Sequence, residues 1–374
     1  MLSVDGGRRK VRGATKAAVL AKLNTMRAEV DRGIVSPDGN ATVQSLLDQW
    51  AQRVVPNRNL APKSRENYEL AVRVLGAEFG RDRLTKLNTA RVERGLEHIA
   101  TGVHGRGKPL GRRSMKLYRE TLVQAVDAAV RREQLHRNPA QYAELPAGKA
   151  TGRARRALST DDARRLWAVC DDGRLGAAFR LMLSTTMRPG EALGVCFDAI
   201  DWDTGELMLR RAVRLERGRA VLVEGAANLK TVNAARPLIV PPPALAALRG
   251  QVARVAELRI AARRWSDPDP GLLFPTVFGG PWNPRNARGE LAALCVRAGV
   301  PIASPGELRH TAKAILDDAR VDPVVIRNLM GHSTEWMQDH YGNRSRRAED
   351  GHVEIMCELF ARVEGRRAQQ TAPR

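Results

Sequence analysis

Between residues 143 and 156 the chain has no apolar repeat and carries instead Pro146, Gly148 and Gly152 with the cations Lys149, Arg153, Arg155 and Arg156. A stretch of that kind offers almost no surface to bury, so it joins cores and does not enter one. It divides the chain, and what lies on either side must close a core of its own. Size agrees, because single cores stop growing near ~250 residues and the chain has 374.

On the amino-terminal side apolar residues recur at helical spacing over 43–54, 62–75, 88–99 and 113–132. Leu46, Leu47 and Trp50 form one face, and Leu117, Leu122, Val123 and Val126 another. Breaks fall at 56–61, 76–81 and 102–111. This predicts a bundle of about four helices over 43–135, with 136–156 as a basic linker. Ahead of the bundle, after the basic residues from Arg8 to Arg12, Val19, Leu20, Leu23 and Met26 predict an amphipathic helix over 15–32. Gly33 and Pro37-Asp38-Gly39 end it, and residues 1–40 are too few to bury much of a core.

Beyond the linker, Ser159 and Asp162 mark a helix start, with helices through Cys170 and to about Met187. The period then becomes alternating over 206–213, 220–223 and 236–240, which predicts three short antiparallel strands with Gly218 and Gly225 in the connections. Pro241 to Pro243 stop the sheet, and helices return at 244–264, 285–298, 307–319, 323–330 and 334–341. The fold class is therefore mainly α with a small antiparallel β-sheet. At the carboxyl end Val353, Met356, Leu359 and Phe360 predict a helix over 352–363, suited equally to a neighbouring protomer or to its own core.

Charge narrows the partner. The chain holds 62 Lys and Arg against 41 Asp and Glu, a formal charge of +21. A polyanion neutralises such an excess and a neutral metabolite does not, although genome bias toward arginine produces the same composition. Cys170, Cys196, Cys295 and Cys357 form no CxxC pair and have no histidine at ligand spacing, so core thiols in a reducing cytoplasm are expected, with no metal site and no disulfide framework. No apolar run reaches the ~18 residues of a membrane span, and a soluble cytoplasmic protein is expected.

Four places in the second region put phosphate-binding or nucleophilic groups together. Arg188 precedes a Pro-Gly break in Thr185-Thr186-Met187-Arg188-Pro189-Gly190-Glu191, where Glu191 can hold its planar fork toward phosphate oxygens. Lys230, in Asn228-Leu229-Lys230-Thr231, lies on a loop from which a lysine can protonate a leaving oxygen. Arg309, in Pro305-Gly306-Glu307-Leu308-Arg309-His310-Thr311, opens a helix, and helix starts favour anions. His332, in Met330-Gly331-His332-Ser333, is followed nine residues later by Tyr341. Tyr68, Tyr118 and Tyr142 all precede residue 157, so Tyr341 is the single phenol of the second region.

Together these residues resemble the tyrosine recombinase, or phage integrase, family, in that family's order of Arg, Lys, Arg, His and Tyr, over 159–343. The resemblance implies a SAM-like helical core-site DNA-binding domain over 43–135 and a mixed α/β catalytic domain over 157–354, followed by a tail over 355–374. It implies a site-specific DNA recombinase that cleaves and rejoins DNA through a covalent 3′-phosphotyrosine, with Tyr341 as nucleophile and no cofactor or metal. The implied partners are double-stranded attachment sites and three further copies of the chain assembled on DNA, with room for a directionality factor or a DNA-bending host protein. The two domains are expected to clamp the duplex, the linker crossing between them. Arg112, Arg113 and Lys116 in the bundle, and Arg153, Arg155 and Arg156 in the linker, are the candidate DNA contacts. Residues 1–40 resemble the end of an arm-site-binding domain whose preceding strands are not evident.

One position departs from the family. Gly306 stands where a histidine is usual, so a proton-handling side chain is missing. His310, about 100° from Arg309 around the helix, is read as structural, and Lys313, one turn on, as a substitute for the missing group. Two other readings share the scaffold: a catalytically impaired DNA-binding or regulatory protein, which Gly306 favours, and a type IB topoisomerase, which the separate helical domain and the tail helix oppose.

Overall fold

Ahead of its first helix the chain pairs two short strands, β1 (Leu2–Val4) and β2 (Gly7–Arg9), antiparallel with Leu2 opposite Arg9. The apolar pattern does not predict them. Three residues are too few to display a period of two. Helix α1 (Lys16–Asp31) follows. It is less amphipathic than its spacing suggests, with Leu20 half exposed and Val19 and Leu23 only partly covered.

This computed structural model describes residues 2–4, 7–9, 13–31, 41–53, 56, 60–105, 107–132, 134–135, 137–146, 157–225, 235–266, 271–331 and 351–361. It divides into two units, Met1–Arg153 and Ala154–Arg374. In the first, α2 (Val43–Arg53), α3 (Pro62–Phe79), α4 (Thr89–Ala100) and α5 (Arg112–Val130) form the bundle. Their apolar faces are the core: Leu47, Leu75, Leu96, Ile99, Leu122 and Val126 are fully buried, and Trp50 meets Tyr68 edge to face at 5.5 Å. An aromatic pair of that kind adds ~1 kcal/mol beyond its burial. Asn88 caps α4 by accepting the Arg91 backbone N–H at 2.9 Å, replacing a bond the helix start lacks.

Gly76, expected to break a helix, lies inside α3. A Cβ there would stand 2.4 Å from the Gln44 side chain, so the glycine permits α2 and α3 to approach closely. The first core also reaches past residue 135, because Ala140 and Ala143 are buried in it. Asn138 fastens this segment, donating to the Val123 carbonyl at 2.9 Å and to Asp127 at 2.7 Å. A polar residue beside a proline gives no apolar repeat by which sequence could reveal such packing.

In the second unit α6 (Thr160–Val169) begins where Ser159 accepts the Asp162 N–H at 3.1 Å. Helix α7 (Gly176–Thr185) is buried along most of its length and forms the centre. A short helix α8 (Pro189–Leu193) precedes β3 (Glu206–Leu209), β4 (Arg211–Glu216), β5 (Arg219–Glu224) and β6 (Arg236–Ile239). The strands form two antiparallel ladders, β3 with β6 and β4 with β5, in place of one three-stranded sheet. The alternating run over 206–213 is interrupted at Arg210, and its halves take different partners. Arg217 and Gly218, both with positive φ, make the tight turn between β4 and β5.

Helices α9 (Pro242–Ala261), α10 (Asn286–Ala298), α11 (Pro305–Asp318) and α12 (Pro323–Leu329) complete the core, with α9 and α11 against α7 and α10 against α6. The last helix, α13 over 351–361, packs on its own chain: Phe360 stacks on Trp167 at 3.9 Å, and Arg180 lies over the same indole. Cys170, Cys196 and Cys295 are buried, and burial pushes the Cys170 thiol up to about 12. Among the described residues no helix is long and apolar enough to cross a membrane.

Candidate active site

Arg188 occupies the N-cap of α8, where Pro189 at the first helical position sets the backbone for the turn. Glu191, three residues on and buried, accepts the Arg188 backbone N–H at 2.8 Å with one oxygen and its guanidinium at 2.6 Å with the other. One carboxylate thus holds both ends of Arg188. In place of the break that the Pro-Gly pair suggests, Gly190 lets α8 press on β4, since a Cβ would stand 2.5 Å from the Val213 carbonyl.

Arg309 reaches the same place from α11. Its guanidinium donates to the Thr186 carbonyl at 2.8 Å and to the Met330 carbonyl at 2.6 Å, which are the C-caps of α7 and α12. Carbonyls at helix ends carry partial negative charge and suit a buried cation. Thr186 adopts φ 55, an uncommon conformation for a β-branched residue, and so turns its carbonyl toward the arginine.

A third arginine, unforeseen from the sequence, completes the group. Arg236, the first residue of β6, donates to the Leu329 carbonyl at 3.0 Å and approaches Glu191 at 3.5 Å, with its side chain 10 % exposed. A single arginine opening a strand looks solvated in sequence, and its position a few residues after Lys230 is the one clue. Two guanidinium groups from separate stretches therefore meet one buried carboxylate, and Arg236 and Arg309 both grip the end of α12, two peptide bonds or fewer before Gly331.

The electrostatics follow from that crowding. Burial pulls the Arg309 pKa down to about 10; the Arg188 and Arg236 charges act in the same direction and Glu191 opposes them. Arg236 is likewise lowered by burial, with Glu191 opposing and Arg188 adding. Arg309 stays cationic at neutral pH, and an added anion would offset the cost of keeping the cations together.

Of the remaining sequence candidates, Lys230, His332 and Tyr341 lie outside the described residues, as do Arg153, Arg155 and Arg156. Gly306 is in the first turn of α11, and a Cβ there meets nothing within 4 Å. His310 is half-buried. Lys313 pairs with Asp317 one turn on. Thr311 is structural: its hydroxyl accepts the Leu158 N–H at 2.9 Å and donates to the Glu307 carbonyl at 2.9 Å. Arg112, Arg113 and Lys116 are exposed at the start of α5, where Lys116 also faces Glu120 at 3.7 Å.

The sequence profile of the phage integrase family matches residues 156–347, more than half of the chain. The chain belongs to the phage integrase family, which places it among the DNA strand-transferring recombinases. It is 24 % identical over 362 residues to an integrase of Streptomyces ambofaciens, covering 94 % of this chain and 88 % of that one. It is 26 % identical over 183 residues to a XerC-like tyrosine recombinase of Caldanaerobacter subterraneus subsp. tengcongensis, a match spanning 47 % of each chain. In fold it is similar to the Tn1549 transposon integrase solved with transposon right-end DNA, with a TM-score of 0.64 at 18 % identity over 82 % of this chain and 98 % of that one. It is also similar to a lambda integrase tetramer bound to a Holliday junction, with a TM-score of 0.54 at 15 % identity over 90 % and 89 % of the chains.

Proposed function

We propose that this chain cuts and rejoins attachment-site DNA, with Arg188, Arg236 and Arg309 gripping the scissile phosphate and Tyr341 attacking it. The observation that carries this is the pairing of Arg188 and Arg236 with one buried carboxylate, beside Arg309 held on the Thr186 and Met330 carbonyls. In the reaction the Tyr341 oxygen bonds to phosphorus while the bond to the 5′ oxygen breaks, and Lys230 gives that oxygen its proton. Charge builds on the nonbridging oxygens, which planar forks can meet in pairs of hydrogen bonds. A phenol with pKa near ~10 is a weak nucleophile, and the cations with His332 favour its ionised form. The phosphotyrosine stores the energy of the broken bond, and a 5′ hydroxyl of the partner duplex then displaces the tyrosine. Four protomers on two duplexes suit this exchange, in the cytoplasm, with a directionality factor or DNA-bending protein setting its direction. A duplex carrying the cognate site and nicked beside the cleavage position will retain the protein through denaturing electrophoresis. A chain that binds the site without forming that adduct would be the regulatory protein instead.

Two further outcomes arise here. Because the space at Gly306 is open, Gly306→His should fit and restore a proton-handling group; cleavage is expected to rise ~10-fold or more in single-turnover assays, with Gly306→Ala as the control for helix propensity. Replacing Arg112 and Arg113 with alanine should weaken binding to all sequences alike and reduce the slope of log affinity against log salt by about 2, measured by fluorescence anisotropy.

A further inference from the structure

The sequence shows no histidine at ligand spacing beside a cysteine, yet the fold of the first unit gathers two histidines and a glutamate whose separations hid them. Glu78 is in the last turn of α3, His98 in the last turn of α4 and His104 in the turn after it. The Glu78 Oε2 atom lies 2.7 Å from His98 Nδ1 and 2.9 Å from His104 Nε2, and all three donor atoms are within 4.8 Å of one another. The two rings stand at 84° with centroids 5.5 Å apart, so each aims a nitrogen at the same oxygen and neither stacks on the other.

The carboxylate is oriented from behind. Arg91 donates to Glu78 Oε1 at 3.0 Å and to the Glu78 carbonyl at 2.9 Å, while its Nε pairs with Asp82 at 2.8 Å. One oxygen is thereby occupied and the other is turned toward both imidazoles, the arrangement by which outer hydrogen bonds orient metal-ligating carboxylates. Glu78 and His104 are largely covered, whereas the His98 side chain is 54 % exposed, leaving a path for an ion and a position for water.

We propose that Glu78, His98 and His104 form a zinc-binding site in the helical unit. Two imidazoles and one carboxylate suit Zn²⁺ better than Ca²⁺ or Mg²⁺, which prefer oxygen ligands. In a tetrahedral site with ligand bonds of about 2.0–2.2 Å the donors stand roughly 3.3–3.5 Å apart, so the carboxylate oxygen would draw back from each imidazole nitrogen by about half an ångström, and water would take the fourth position. The ion would tie together the ends of α3 and α4 and the turn that leads toward α5, where Arg112 and Arg113 lie.

The test uses the full chain, freed of metal with a chelator and titrated with Zn²⁺ in a calorimeter. One saturable equivalent is expected, with a rise in melting temperature. His98→Gln combined with His104→Gln should remove that equivalent, and Arg91→Met should weaken it about 10–100-fold. The unmodified chain gives a measurement independent of variant folding: Zn²⁺ should protect His98 and His104 from diethyl pyrocarbonate, read by mass spectrometry. Absence of a saturable equivalent, its persistence in the double variant, or undiminished labelling of both histidines overturns the site and identifies the cluster as hydrogen bonding alone.

Discussion

Tyr341→Phe should abolish the covalent protein–DNA adduct on a nicked attachment-site duplex, a loss on the order of 10⁴-fold or more, while binding is retained. The substitution removes one oxygen and keeps the ring, so a tyrosine needed only for packing would tolerate it. A nucleophile cannot, because the bond to phosphorus is formed by the oxygen that the substitution removes. Tyr341 is the single phenol of residues 154–374, so no other tyrosine of that unit can replace it. Binding rests on many phosphate contacts and loses little with one hydroxyl. Arg309→Lys is the informative companion: it keeps a cation but loses the fork that spans the Thr186 and Met330 carbonyls, and cleavage should fall ~10²–10³-fold. An adduct that forms undiminished on Tyr341→Phe would remove the proposed chemistry.

Glu191→Gln is expected to lower stability by about 3 kcal/mol, a drop in melting temperature of roughly 6–12 °C, with loss of cleavage. The amide side chain has nearly the shape of the carboxylate and its oxygen can still accept the Arg188 N–H, but its NH2 group replaces the oxygen that accepts the guanidinium, so the substitution removes the charge and one acceptor together. Glu191 is the carboxylate that both Arg188 and Arg236 approach, at 2.6 Å and 3.5 Å, and it also opposes the lowering of Arg309. Without it three cations face one another in a poorly solvated place. An anion should then partly replace the lost carboxylate, so sulfate should raise the melting temperature of the variant more than that of the parent. Equal responses to sulfate, or a variant as stable as the parent, would show that the arginines do not depend on Glu191.

Much of the fold was legible because long amphipathic helices declare themselves by period. The helices over 43–130 lie close to the predicted 43–54, 62–75, 88–99 and 113–132, and Ser159 caps α6 as its pairing with Asp162 suggested. Less legible were features with no period to read. The β1–β2 hairpin is too short, Gly76 looks like a break unless Gln44 is known to touch it, and the run over 206–213 gives no sign that Arg210 divides it. Arg188 and Arg309 could be singled out as candidates because each sits in a local motif with a glutamate or a helix start. Arg236 sits in none, and the Glu78, His98 and His104 group depends on residues 20 and 6 positions apart.

The amino-acid sequence by itself determined the division into two units, the helical character of the first, the family and the order of the catalytic candidates. Each of these is written in local pattern: period, charge and short motifs with a chemical reason for their spacing. Only the tertiary structure decided that Arg236 joins Arg188 and Arg309 around Glu191, that α13 packs its Phe360 on Trp167 of its own chain, and that two histidines share one carboxylate oxygen. The physical reason is that burial and convergence are properties of packing. A guanidinium or an imidazole has the same chemistry in solvent and in a core, and only its neighbours determine which role it takes.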